Sequence, residues 1–314
     1  MSPRTTRRTF LGTLAATTVA AALPKPTSAQ SVPAAGGFRF VFMPCVHLRR
    51  DRRSPDGFRS AMTAVAALDP APDFILTGGD MCHNLRDQSL EQSVEMVDLF
   101  AEILGAGFKK SVHHCLGNHD LAAWNNKDAA GDPRYGKRLT IQKLGMPGPY
   151  HSFDHGGWHF VALDYLFERG PGDFSPEFGA EQMAWLRDDL AKTAGRPTII
   201  VSHAPVASAV ELFSDRATVD DKSRAVPFGR VVKDTPALFE AVVGANVRAF
   251  LSGHLHLVEE LNFDGHRLIC SGSVSGHQWG GPRMGTPEGF GVLDCQPDGT
   301  LNFAYQSHNW TAVS

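Results

Sequence analysis

Cys45 and His47 stand two residues apart at the end of an apolar run, in the stretch FRFVFMPCVHL of residues 38–48. In extended chain, residues i and i+2 project to the same side, so a thiol and an imidazole leave this strand end together. Such a pair can ligate a metal, take part in redox chemistry, or do neither. Four more apolar runs end in the same way. PDFILTGG leads to Asp80, SVHHCL to Gly117-Asn118-His119-Asp120, PTIIVS to His203, and VRAFLSG to His254-Leu255-His256. A lone histidine after a strand is more often structural than ligating. Five strand ends bearing metal-ligand types are different, because sites in layered α/β sheets gather at the carboxyl ends of strands. Imidazoles, a carboxylate, an amide oxygen and a thiolate suffice together to hold two divalent ions. Two ions roughly 3.5–4 Å apart can clamp a phosphoryl group and activate water.

The elements that must position these residues are legible. Apolar runs predict strands over 38–43, 73–77, 111–116, 158–163, 197–202, 247–251, 267–271, 289–294 and 301–306. Amphipathic spacing predicts helices over about 56–68, 90–105, 179–193 and 236–244. Ser89 followed by Gln92 reads as a capping box. Thr235 ahead of Pro236 reads as an N-cap before proline at the first helical position. Strand-helix alternation over the first two thirds predicts a layered α/β core, and from about residue 266 only strands and turns are expected. Two irregular segments, 121–150 and 204–234, are rich in Gly, Pro, Asp and Arg and directly follow two of the motifs. Both are expected to face substrate.

The chain has 314 residues. Its first 29 carry paired arginines (Arg7, Arg8), then Phe10, Leu11 and an apolar stretch to Leu23, then the small residues Thr27-Ser28-Ala29. That stretch is shorter than the ~20 residues a bilayer span needs, and it reads as a removable export signal. Its Thr-Arg-Arg-x-Phe-Leu pattern resembles a bacterial twin-arginine signal. That implies recognition by the twin-arginine export machinery, delivery of a folded protein to the periplasm or exterior, and metal loading before export. Residues 30–37 read as a linker. The signal holds four basic residues and no acid, so 30 basic against 33 acidic residues become 26 against 33, a net charge of −7. Such a surface disfavours nucleic acid as a partner, and no second apolar span predicts stable membrane insertion. The five cysteines (45, 82, 115, 270, 295) are scattered and odd in number, which excludes a disulfide scaffold.

GD (79–80), GNHD (117–120), His203 and GHLH (253–256), in this order, resemble the calcineurin-like metallophosphoesterases. The motifs, with Cys45 and His47, spread over residues 45–256 and imply one domain over 38–314: a four-layer α/β/β/α sandwich of two mixed β-sheets flanked by helices. The resemblance implies two transition-metal ions, divalent or trivalent, iron or zinc ahead of manganese. Asp80 would bridge them. His47, His256 and Cys45 would complete one site, and Asn118, His203 and His254 the other. His119 would stand by the leaving group as general acid, with Asp120 orienting it, and a hydroxide between the metals would attack phosphorus.

This chain departs from the family in its first motif, which is normally Asp-x-His. Cys45 stands at the carboxylate position as a thiolate ligand favouring softer ions, as a non-ligand, or as a redox or disulfide cysteine with Cys82 or Cys115. His83 lies where the related purple acid phosphatases carry a tyrosine ligand, and is read as an extra ligand, a group behind the ligands, or a loop residue. His277, in a Gly-rich turn, is a candidate pocket residue. The activity expected is hydrolysis of a small phosphate ester, diesters ahead of monoesters. Two readings of other classes compete: a non-catalytic metal- or phosphate-binding protein weakened by Cys45, and a redox metalloprotein with thiolate-bound iron. Substrate identity and oligomeric state are not legible.

Overall fold

A computed structural model describes residues 33–213, 217–219 and 223–312. The export signal and the first part of the linker lie outside the described residues. In chain order the elements are β1 (Phe38–Met43), α1 (Ser54–Ala66), β2 (Phe74–Gly78), α2 (Leu90–Gly107), β3 (Ser111–Cys115), α3 (Lys137–Leu144), β4 (His151–His155) and β5 (Trp158–Ala162). Then come β6 (Leu166–Gly170), β7 (Asp173–Pro176), α4 (Gly179–Ala191), β8 (Thr198–Val201), α5 (Ala209–Phe213), β9 (Thr218–Val219), β10 (Arg224–Ala225) and α6 (Thr235–Ala241). The chain closes with β11 (Val247–Ser252), β12 (Val258–Phe263), β13 (His266–Ser271), β14 (Gly289–Cys295) and β15 (Leu301–Ser307).

Two large mixed sheets form, ordered β15-β14-β1-β2-β3 and β12-β13-β11-β8-β5-β4. The period of two along each central strand explains why they pack face to face. Phe38, Phe40 and Phe42 of β1 share one buried cluster with Phe74 and Leu76 of β2. Trp158 and Phe160 of β5, Ile199 and Val201 of β8, and Ala249 and Leu251 of β11 join it from the other sheet. The alternate residues Val41, Met43, Ile75, Val161, Ile200 and Phe250 belong with the helices' apolar faces, among them Phe58, Phe100, Leu186 and Leu238. The result is helix, sheet, sheet, helix. Arg39 breaks the apolar pattern of β1 but is directly opposite Asp294 on β14. Its Nε and Nη2 donate to both Asp294 carboxylate oxygens at 2.7 and 2.9 Å, so the buried charge is fully paired.

The nine expected strands all form, within one or two residues of the expected bounds. The capping box on α2 also forms, with Gln92 N donating to Ser89 Oγ and Ser89 N to Gln92 Oε1. The start of α6 differs from expectation. Asp234 occupies the N-cap and Thr235 is the first helical residue, its hydroxyl donating back to Val206 O and Val232 O. The Asp234 carboxylate instead accepts from Phe178 N and Gly179 N, the open amino end of α4. It therefore ties α4 and α6 into one layer.

Strand direction sets the site. β1, β2 and β3 run parallel in the first sheet, and β8 and β11 run parallel in the second. Their carboxyl ends open onto one edge of the sandwich. Among the described residues no helix is long and apolar enough to cross a membrane.

Candidate metal centre

Three of the loops after these five strands are held in unusual backbone. Cys45, His47, Asp80, His254 and His256 all take positive φ, between 45° and 64°. A non-glycine residue in the left-handed region costs roughly 1–3 kcal/mol, so the surroundings must enforce it. Cys45 N donates to Gly79 O and His47 N to Asp80 O, which zips the first loop to the second. The Cys45 carbonyl accepts from Ser273 Oγ at 3.0 Å and Ser275 Oγ at 2.8 Å. Trp279 Nε1 donates to Val46 O at 2.9 Å. The SGSVSGHQWGG segment thus clamps the Cys-x-His turn from behind. Glycine is obligatory at 117, where a Cβ would lie 2.2 Å from both the nitrogen and Oδ1 of Asp80.

These turns bring the ligand types together. His47 Nε2 is 3.0 Å from His256 Nε2 and 3.5 Å from Asp80 Oδ2. His203 Nε2 is 3.0 Å from Asp80 Oδ2 and 3.1 Å from His254 Nδ1. Cys45 offers Sγ within 4.8 Å of ligand atoms of His47 and His256, and likewise of Asp80 and His203. Asn118 is oriented by Tyr165, whose hydroxyl donates to its Oδ1 at 2.9 Å. The amide oxygen keeps a second lone pair.

The donor set fits metal ions. His203 Nδ1 donates to Gly78 O at 2.6 Å and His256 Nδ1 to Gly276 O at 2.5 Å. With Nδ1 committed to a carbonyl, Nε2 is the ring atom each imidazole has left for a metal; that of His203 lies against Asp80 Oδ2 and that of His256 against His47 Nε2. Electron-rich atoms gathered this way in a buried site are stabilised by cations between them. Burial, followed by the charge of Asp80, pushes the Cys45 thiol well above its usual range. The one opposing contact is the His254 N–H, which donates to Sγ at 3.0 Å. A thiol so placed ionises when a metal ion supplies the compensating charge. All five cysteines are buried free thiols, so a disulfide of Cys45 with Cys82 or Cys115 does not form.

His119 lies beside this cluster, its ring 4.8 Å from that of His47. Its Nδ1 accepts the Asn84 N–H at 3.0 Å, so the neutral ring carries its proton on Nε2. Burial lowers its pKa. His83 stacks on the His119 ring, centroids 5.3 Å apart and 18° from parallel. It also shares a ligand-distance cluster with His47 and His119. The expected partnership between His119 and Asp120 is corrected here. The Asp120 carboxylate accepts four backbone N–H groups, from Asp80, Met81, Cys82 and Gly117, at 2.8–3.2 Å. Asp120 therefore holds the second and third loops in register, while a backbone amide and His83 set the His119 ring.

The cleft above the cluster has two arms that share His119, Arg230 and His254. One, of about 150 Å³, runs past His256 to His277, Gln278 and Arg283. The other, of about 520 Å³, is walled by Tyr165, Phe174, Phe228 and Arg86. His277 thus reaches the cleft. Segment 204–234 also reaches it, through Phe228, Gly229 and Arg230. Segment 121–150 does not line either arm. It buttresses the wall instead: Tyr135 stacks on Trp124 and accepts the Gly172 N–H at 2.9 Å. Tyr165 lies shortly after the end of β5 at Ala162, beyond Leu163 and Asp164, near where the motif residues follow their own strands. Arg230 sits in irregular chain and carried no such signal.

The comparisons with known proteins agree with this geometry. The family model for calcineurin-like phosphoesterases matches residues 38–258. The chain belongs to that family. Metal dependence is general in that family. Among curated relatives, a "Probable cyclic nucleotide phosphodiesterase" of Rhodococcus erythropolis is 25% identical over 217 residues, 69% of this chain and 62% of the relative. A cAMP/cGMP dual specificity phosphodiesterase of Mycobacterium tuberculosis is 27% identical over 195 residues, covering 62% of this chain and 52% of that protein. The match thus spans less than two thirds of these relatives' own lengths. Among solved structures, a dimetal phosphatase from Danio rerio superposes with a TM-score of 0.61 at 16% identity, covering 86% of this chain and 96% of that one. A purple acid phosphatase from yellow lupin gives 0.54 at 14% identity, covering 88% and 52%. Both are likenesses of fold.

Proposed function

We propose that this family member is a metal-dependent phosphodiesterase. Cys45, His47, Asp80 and His256 would hold one metal ion, and Asp80, Asn118, His203 and His254 a second. Bound there, two transition-metal ions supply Lewis-acid charge to a phosphoryl group and lower the pKa of a water nucleophile. The chain's own residues do the rest. Arg230, its Nε and Nη2 held by Glu211 Oε1 at 3.0 and 2.7 Å, presents a fixed positive charge where the two arms meet. His119, with its proton on Nε2, donates toward the leaving-group oxygen. Tyr165 fixes the Asn118 amide.

The observation that carries the diester reading is the cleft around His119 and Arg230, which continues past the ligand cluster to His277, Gln278 and Arg283 on one side and opens into the larger arm on the other. The relatives named as cyclic nucleotide phosphodiesterases support a diester as substrate without bearing on how the arms are used. The test is turnover of metal-reconstituted protein on bis(p-nitrophenyl) phosphate and on p-nitrophenyl phosphate. The diester is expected to be favoured about tenfold or more in kcat/KM, a difference of ~1.4 kcal/mol in transition-state binding. Preference for the monoester would replace this reading with a phosphomonoesterase. Binding without turnover of either would leave a non-catalytic phosphate-binding protein.

Export by the twin-arginine route is part of the same proposal, supported by the Arg7-Arg8 signal pattern. Replacing both arginines by lysine is expected to keep the protein in the cytoplasmic fraction. Undiminished delivery of that variant to the periplasm would contradict it.

A further inference from the structure

The two arms differ in chemistry. Beyond the ligand cluster, the smaller arm is walled by Leu255 and by His277, Gln278 and Arg283, the last three able to hydrogen-bond. The larger arm presents Phe174 and Phe228 from two separate segments, one from strand β7 of the β6–β7 hairpin and one from segment 204–234. Phe228 is 68% exposed, a high figure for a large apolar ring in a cleft wall. A cation attends each ring. Arg86 lies over Phe174 at 5.7 Å and Lys233 over Phe228 at 5.1 Å. Rings held this way offer stacking faces. Arg230, which belongs to both arms, is anchored by Glu211, itself buried in α5.

We infer that the substrate is an acyclic phosphodiester with one planar aromatic substituent, such as a nucleobase-bearing group. Arg230 holds its phosphate at the junction, its planar group lies in the larger arm against Phe174 and Phe228, and a polar second substituent lies in the arm of Gln278 and Arg283. This rests on the phosphodiesterase reading and goes further, because it assigns each substituent to an arm. A 3',5'-cyclic nucleotide carries both ester oxygens on one sugar and cannot place one substituent in each arm.

Non-hydrolysable phosphinates test the arms without turnover. Affinities of metal-loaded protein for dimethylphosphinate, methyl(phenyl)phosphinate and diphenylphosphinate are measured by calorimetry. The first phenyl group is expected to tighten binding about tenfold, within the range of stacking on aromatic side chains. The second is expected to add nothing, because it meets a polar wall. Phe174→Ala and Phe228→Ala should each shrink the first ratio about threefold or more. Arg230→Lys, which keeps a cation for Glu211, should weaken all three anions alike by losing the planar fork. The inference is overturned if the first phenyl adds nothing, if both phenyl groups add equally, or if neither Phe variant changes the ratio. It is overturned too if a 3',5'-cyclic nucleotide is hydrolysed faster than thymidine 5'-(p-nitrophenyl) phosphate. If the phosphinates show the expected pattern but no diester is hydrolysed, the arm assignment stands and the phosphodiesterase reading fails.

Discussion

His119→Ala is expected to keep its metal content and lose about 10²-fold or more in kcat/KM on diesters with alkyl leaving groups. The ring lines both arms of the cleft, and its Nδ1 is occupied by the Asn84 N–H, which leaves Nε2–H as its donor. Alkoxide leaving groups need that proton, whereas p-nitrophenolate departs with little help. The loss on aryl esters should therefore be much smaller. Parallel measurement on an alkyl and an aryl diester decides the matter, and equal losses on both would remove the leaving-group role. His83→Ala should reproduce a fraction of the effect, because His83 stacks on the ring and helps fix its plane. Asp120→Asn should act differently. It perturbs a carboxylate that holds four backbone N–H groups, so its cost is expected in thermal stability and metal retention rather than in leaving-group dependence.

Cys45→Ala is expected to lose much of one metal ion per chain and most of the activity, since it removes a donor common to two ligand clusters. Cys45→Asp should retain two ions and shift the preferred metal from Zn²⁺ or Fe²⁺ toward Mn²⁺, because a carboxylate is harder than a thiolate. The measurement is metal content and turnover of both variants after reconstitution with each ion. If Cys45→Ala matches the parent in both, Cys45 is a buried bystander.

The centre was legible in the sequence because its geometry is simple. Each ligand group follows a parallel strand, and most of these strands are buried and write apolar runs that end abruptly; β3 (SVHHC), open at its start, is the exception. Several of the elements that escaped notice lie where burial is weak. β4 (HSFDH) and β12 (VEELNF) are the two edges of the second sheet, and an edge strand with polar side chains shows little alternation. The β6–β7 hairpin (LFERG, DFSP) is exposed along most of its first strand, yet it supplies Phe174 to the cleft. Arg230 gave no signal because its position depends on an ion pair with Glu211, nineteen residues away in the short helix α5. The role of Asp120 was misread for a related reason: adjacency to His119 in sequence says nothing of which way a side chain turns after a tight GNHD bend. The clamp of Ser273, Ser275 and Trp279 on the Cys45 turn was hidden by distance along the chain, more than 220 residues.

The central claim is that Cys45 ligates within a two-metal centre. Substitution with Co²⁺ tests it most directly, because a cobalt-bound thiolate produces an intense ultraviolet charge-transfer band that imidazole and carboxylate ligands do not. Two Co²⁺ ions per chain and such a band are expected in the parent protein. Cys45→Asp is expected to lose the band with both ions retained. Two bound ions and no thiolate band in the parent protein would contradict it.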